Sequence, residues 1–356
     1  MINLTGTRST SLNRRWGNAA PIAVLIFLSP VITELLAGTV RLSNIWLLVP
    51  EMAVYGFAAL LIREVVRRKC RGWGTILLLG IAFAIAEECV ILQTSLPPQF
   101  FPPAFDESFG WAYGVQWIYL LAIVWNESVY AVVLPIYLTE IIFPSKRESL
   151  WLGRRGLVIS GIILVLASIG VWQLWSHGGL PKYGPSTYQV PPLYIVAALL
   201  VIAALVTGTL AFRLSSRHMS KKNSRRAPAP WLVGFLAFGF GAAWFLMIGL
   251  AFIPPATFKD ISPIVPIVIG LFWIGLGLSI VWWISSAGNW QDRHRLALIF
   301  GASLASMVGG TLEVLADAPI DIIGKYGFDL IAVGLFIWLT IVVRKQVMQS
   351  PNQNSV

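Results

Sequence analysis

Histidine is scarce in this chain: His177, His218 and His294 are the only three, and each falls outside the long apolar stretches. Cysteine is scarcer still, with Cys70 in a basic segment and Cys89 inside an apolar one. At about 1.5 Å of rise per helical residue the two are too far apart for a disulfide. A zinc site needs several converging His or Cys ligands, and none can be assembled, so no metal is expected. There is no Ser–His or Cys–His nucleophile pair and no glycine-rich phosphate loop, so no cofactor is expected either. Charge is also short, at 12% of residues, against about 25% in ordinary soluble domains.

What fills the space is apolar. Hydrophobic residues make up 57% of the 356 positions, and the mean hydropathy is +0.75. A water-soluble globule of this length cannot hide so much apolar surface. Lipid is the solvent that fits. A bilayer asks for about 20 apolar residues per helix. Ten stretches meet that demand: 19–40, 45–66, 73–95, 113–142, 157–176, 192–213, 231–253, 263–287, 295–315 and 327–344. The fourth is long enough to tilt or to project past the membrane. The first follows a basic segment and could imitate a signal peptide. No small-residue cleavage site precedes the next polar segment, so it reads as a retained span. The expected fold is all-α, a polytopic bundle of about ten transmembrane helices with both termini cytoplasmic.

Charge orients the bundle. With the N-terminus inside, the inner segments hold Arg8, Arg14 and Arg15, then Arg63, Arg67, Arg68, Lys69 and Arg71. Lys146, Arg147, Arg154 and Arg155 follow, then Arg213, Arg217, Lys221, Lys222, Arg225 and Arg226. Arg293, Arg295, Arg344 and Lys345 complete the set. The outer loops are left with Arg41, Lys182, Lys259 and Lys325. A missed or spurious span would scramble this alternation, so the positive-inside rule supports the count. The net charge of +10 is then a contact with anionic lipid headgroups rather than with nucleic acid. Small outer loops without cysteine suit a bacterial cytoplasmic membrane. Trp46, Trp73, Trp111, Trp151, Trp175, Trp231 and Trp290 fall near span ends, as interfacial anchors should.

The chain divides as a tail (1–18), six helices (19–213), a basic linker (214–230), four helices (231–344) and a second tail (345–356). Loop 96–112 holds four prolines and several phenylalanines and reads as a stiff cap on the outer face.

Ionisable residues at membrane depth are costly and mark function by default. Glu34, Glu51, Glu87, Glu88, Asn126 and Glu127 fall on the first four helices, all between the midplane and the outer surface. Carboxylates at one level on four consecutive helices argue for a shared polar cavity and a ligand-binding role. Pro30, Pro50 and Pro135 accompany them, each freeing a backbone carbonyl and permitting a kink. Glu87 and Glu88 point about 100° apart on a helix, so one can line the cavity while the other bonds elsewhere. Two carboxylates this close in low dielectric do not both ionise, which suits a general base, a proton carrier or a cation site. Arg63, Glu64 and Glu140 at helix ends read as structural ion pairs. Glu313, Asp317 and Asp321 read as solvated surface.

The Glu87-Glu88 pair, with Asn126 on the next helix, resembles the CAAX-protease and bacteriocin-processing family of membrane proteases. There a Glu-Glu pair, an arginine four positions on and histidines on later helices activate water. The resemblance implies catalytic roles for Glu87, Glu88 and Asn126. Leu92 stands at the arginine position, and Asn126 where a histidine is expected. Three readings therefore stand: a proton- or cation-coupled carrier of a small solute, a divergent or inactive relative of that intramembrane enzyme, and a non-catalytic scaffold. A carrier requires the glutamates to line a cavity. The enzyme requires Glu87 or Glu88 close to Asn126. A scaffold requires every glutamate to be capped.

Overall fold

The computed structural model describes residues 17–96, 110–179, 189–211, 225–251, 261–262, 264–315 and 317–349. Ten helices dominate it: α1 (Ala19–Leu35), α2 (Leu42–Arg68), α3 (Trp73–Leu92), α4 (Trp117–Ile142), α5 (Arg154–Gly178), α6 (Pro192–Ala211), α7 (Pro230–Leu250), α8 (Ile264–Ser285), α9 (Asp292–Val314) and α10 (Pro319–Lys345). Nine are long and apolar enough to cross a membrane, and α1 is a shorter apolar helix. The chain is thus an all-α, polytopic membrane protein. Helices are the form such a chain must take, because lipid offers no hydrogen bonds to backbone groups. Among the described residues the only strands are β1 (Trp111–Ala112) and β2 (Val115–Gln116), a small antiparallel hairpin leading into α4. Most of the proline-rich loop, residues 97–109, and most of the basic linker lie outside the described residues.

The bundle is not uniform. α2, α3, α4 and α9 bury much of their length, while α5, α6, α7 and α8 present most of theirs outward. Two apolar cores meet at α1 and α4. One joins Ile32, Tyr130, Leu134, Ile299, Met307 and Phe336, from α1, α4, α9 and α10. The other joins Leu25, Ala59, Leu60, Ile76, Ala131 and Ile136, from α1 through α4. Lipid tails are as apolar as leucine, so close backbone approach has to hold such helices together. The sequence supplies it on α9, where Ala297, Gly301, Ala305 and Gly309 recur every fourth residue. A Cβ on Gly301 would lie 2.1 Å from the Gly234 carbonyl oxygen of α7. One on Gly310 would lie 2.0 Å from the Ala37 carbonyl oxygen, just past α1. Gly56 of α2 also packs closely on α1, its Cβ position 2.6 Å from the Ile26 carbonyl oxygen.

Prolines explain part of this geometry. Pro135 has no N–H to return to the Ala131 carbonyl, and Ser29 Oγ of α1 donates to that carbonyl at 2.5 Å. Pro30 likewise leaves the Ile26 carbonyl, the oxygen that Gly56 packs against.

Three placements differ from the sequence reading. α1 ends at Leu35 rather than near residue 40, because the chain turns there through left-handed Gly38 (φ 83°). α9 begins at Asp292, three residues before its apolar run, so His294 is not in a loop. It is buried in the first helical turn, stacked on Trp290, with Nδ1 accepting the Gln291 N–H at 3.2 Å. α10 begins at Pro319 instead of 327, which draws Asp321, Lys325 and Asp329 into the helix. Proline suits a first helical turn, and Lys325 and Asp329 form an i,i+4 ion pair that lets the helix carry both charges. Lys325 is therefore buried rather than in a loop, and its Nζ also donates to the Met307 carbonyl at 3.1 Å. Asp321 is buried as well, accepting from the Ser43 N–H at 2.8 Å and Ser43 Oγ at 3.0 Å. Its reading as solvated surface is overturned. Glu313 is exposed, and Asp317 pairs with Arg41.

Candidate functional site

Each of the first four helices contains one π-helical turn, and a glutamate accompanies each. π-helical turns run over Val31–Leu35, containing Glu34, and over Met52–Gly56, directly after Glu51. Two more run over Glu87–Leu92 and Glu127–Val133. A π-turn inserts one residue into the winding and re-aims the side chains on either side of it, which is why such turns collect at functional sites.

The four turns bring a set of acidic side chains to one hydroxyl. Tyr55 Oη lies 3.2 Å from Glu87 Oε1 and 3.3 Å from Glu127 Oε1. Glu34 and Glu51 lie near enough for their charges to act on this hydroxyl as well. Glu87 of α3 and Glu127 of α4 thus share one neighbour across the interface of the two helices. A tyrosine offers one proton, and a carboxylate offers none. A hydroxyl within reach of two carboxyl groups can donate to only one of them, so the second contact requires a proton on a glutamate. No Lys or Arg forms an ion pair with Glu34, Glu51, Glu87 or Glu127 among the described residues. Nor do three His, Cys, Asp or Glu side chains there converge as a metal ion would need.

The cluster grades from sealed to open. Glu87 and Glu127 are 2% and 4% exposed. Glu34 and Glu51 are partly exposed, and Thr39, which donates from Oγ1 to Glu34 Oε2 at 2.5 Å, is at the surface. Three carboxylate oxygens have no partner although buried: Oε2 of Glu51, Glu87 and Glu127. That is costly in low dielectric, and orphaned polar atoms of this kind ask for an explanation.

Two expected members stand apart. Glu88, next to Glu87, points elsewhere. α3 ends at left-handed Gln93 (φ 61°), and the chain folds back so that Thr94 Oγ1 donates at 2.6 Å and Ser95 Oγ at 2.5 Å to the Glu88 carboxylate. Glu88 is capped by these two hydroxyls, and Glu87 faces Tyr55. Asn126 has a buried, unpartnered Oδ1 and no hydrogen bond to any glutamate. Tyr55 escaped the sequence reading. Its signal was its place four residues after Glu51, on the same face of an ordinary helix. The shared cavity expected for a carrier coincides with neither of two hollows, of about 220 and 270 Å³. Both are apolar and lined by no glutamate.

A second polar group lies at the basic end of the bundle. Arg63 is fully buried, and all five of its N–H donors are used. They reach Glu140 Oε1 (3.3 Å), Glu64 Oε1 (2.8 Å) and the carbonyls of Ser149 (2.8 Å), Lys146 (3.1 Å) and Arg147 (2.7 Å). Its guanidinium lies 3.6 Å above the Trp151 ring. Arg67 grips Glu140 with two nitrogens, and Glu64 accepts from the Trp151 N–H at 2.9 Å. Every charge is matched, as the structural reading of these residues expected. The network fixes the α4–α5 connection. No protein-family model, curated protein or solved structure matches this chain.

Proposed function

We propose that this membrane protein is a carrier of a small solute, coupled to protons that the Glu34–Glu51–Glu87–Glu127 cluster takes up and releases. One observation carries the reading: Oε2 of Glu51, Glu87 and Glu127 is buried and left without a partner, while Glu87 and Glu127 share the Tyr55 hydroxyl through Oε1. A scaffold would cap them, as Thr94 and Ser95 cap Glu88. Among the described residues, the unpaired oxygens, the lack of a neighbouring cation and the lack of a metal-like grouping together favour the proton over a metal cation as the coupling ion. The route it suggests runs from exposed Thr39 to Glu34, then through Tyr55 to the Glu87–Glu127 pair.

The test is infrared spectroscopy of carboxyl bands in the reconstituted protein as pH is varied. Glu87→Gln or Glu127→Gln should remove a titrating band, while Glu88→Gln leaves it in place. If no carboxyl band titrates at any accessible pH, the cluster is sealed and the scaffold reading replaces this one.

A further inference from the structure

The π-turn that aims Glu127 into the cluster has a second face. There Trp125, Val129 and Val133 of α4 meet α7 and α8 around an apolar hollow of about 220 Å³. Its walls are rings: Trp125 packs edge-on against Trp244 at 6.4 Å, and Phe240 stacks on Trp273 at 4.1 Å. The hollow is long. Its lining runs from Val233 to Trp244 on α7 and from Trp273 to Ile284 on α8. At the helical rise each run covers about 16 Å, the depth of one leaflet in a hydrocarbon core about 30 Å thick. It also opens sideways, since Leu236, one of its lining residues, is 46% exposed on the bundle surface.

One end of this groove is basic. Trp73 is the first residue of α3, and Ile284 lies one residue from the end of α8. Just beyond α8, Gly288 N–H donates to the Arg225 carbonyl at 3.2 Å, and Asn289 Oδ1 accepts from the Ala227 N–H at 2.6 Å. The segment bearing Arg225 and Arg226 is thereby pinned against the mouth. Both arginines are exposed, and neither has an ion-pair partner among the described residues.

We propose that this groove holds one acyl chain of an anionic phospholipid, whose phosphate is met by Arg225 and Arg226. The shape selects a single extended chain one leaflet deep, the aromatic walls hold it, and the two guanidinium groups select the charge of the headgroup. The lipid would bear on the back of the turn that carries Glu127. Its binding does not depend on the carrier reading, because no cluster residue lines the groove.

The experiment is native mass spectrometry of the full chain. The detergent-purified protein is stripped of lipid and titrated with phosphatidylglycerol or with phosphatidylcholine of the same chains. The wild type should retain one phosphatidylglycerol about tenfold more tightly than phosphatidylcholine. Arg225→Gln with Arg226→Gln should abolish that preference while chain binding persists. Ala237→Phe, and independently Val281→Trp, should displace both lipids by filling the groove. Thermal unfolding of each variant identifies one that merely fails to fold, in which case the other filled variant decides. Undiminished retention of phosphatidylglycerol in a folded, filled variant would overturn the proposal. So would a filled variant that loses a dimer rather than a lipid, since a second copy would then be the occupant.

Discussion

Ser29 Oγ donates a 2.5 Å hydrogen bond to the carbonyl of Ala131, the acceptor that Pro135 deprives of its helical partner. This bond fastens α1 to α4 between the π-turns that carry Glu34 and Glu127. Ser29→Ala leaves a buried carbonyl unpaired and should cost about 1–3 kcal/mol of stability. In a Pro135→Ala background the helix can supply its own N–H, so the cost of Ser29→Ala should largely vanish. A thermal-unfolding double-mutant cycle measures this coupling, and simple additivity of the two changes would remove the explanation.

The five-donor environment of Arg63 makes a sharper demand. Lysine has the same charge but only three donors and no planar fork. Arg63→Lys should therefore unfold at clearly lower temperature than wild type, with a loss of about 3–5 kcal/mol, the range for breaking a buried pair. Proton uptake by the cluster should keep its pH midpoint in any fraction that stays folded, because Arg63 touches none of Glu34, Glu51, Glu87 or Glu127. Equal thermal stability of Arg63→Lys and wild type would mean that the network is looser than its geometry.

The glycines of α9 show how much the sequence disclosed. Ten helices and their order were legible because hydrophobic length is a local property. Helix starts failed where they depended on partners. Lys325 passes for a loop residue until Asp329 and the Met307 carbonyl are beside it, and His294 does so until Trp290 stacks on its ring. Tyr55 joined the cluster, and Glu88 left it, for a related reason. A π-turn changes which residues share a face, and apolar periodicity gives no sign of one. The four-residue spacing of Ala297, Gly301, Ala305 and Gly309 was visible in the chain, but its partners on α7 were not.

Gly310, beside the last residue of that series, supports its own prediction. A Cβ on Gly310 would fall 2.0 Å from the Ala37 carbonyl oxygen, a backbone atom that cannot step aside. On Gly275 of α8 a Cβ would meet nothing within 4 Å. Gly310→Ala should therefore cost about 1–3 kcal/mol through overpacking. Gly275→Ala should be neutral or slightly stabilising, since alanine is the better helix former. Thermal unfolding of the two variants in the same lipid nanodiscs compares them directly, and equal midpoints would argue that α9 does not approach α1 so closely.

Tyr55→Phe separates a proton-sharing cluster from a merely acidic one. The hydroxyl is within hydrogen-bond reach of Glu87 and Glu127 and feels the charge of Glu34, and phenylalanine keeps the ring that packs edge-on against Phe83 at 5.9 Å. Stability should change by about 1 kcal/mol, the net worth of a typical hydrogen bond. The proton behaviour should change far more. With the link gone, Glu34 should still exchange with the outer side through Thr39, while the Glu87–Glu127 pair loses its connection to it. In time-resolved infrared spectra after a pH jump, the variant should lose the slow carboxyl component that Glu87→Gln also removes, and should keep the fast one. If both components survive in Tyr55→Phe, protons reach the pair by another path, and Tyr55 only packs the space between the carboxyl groups.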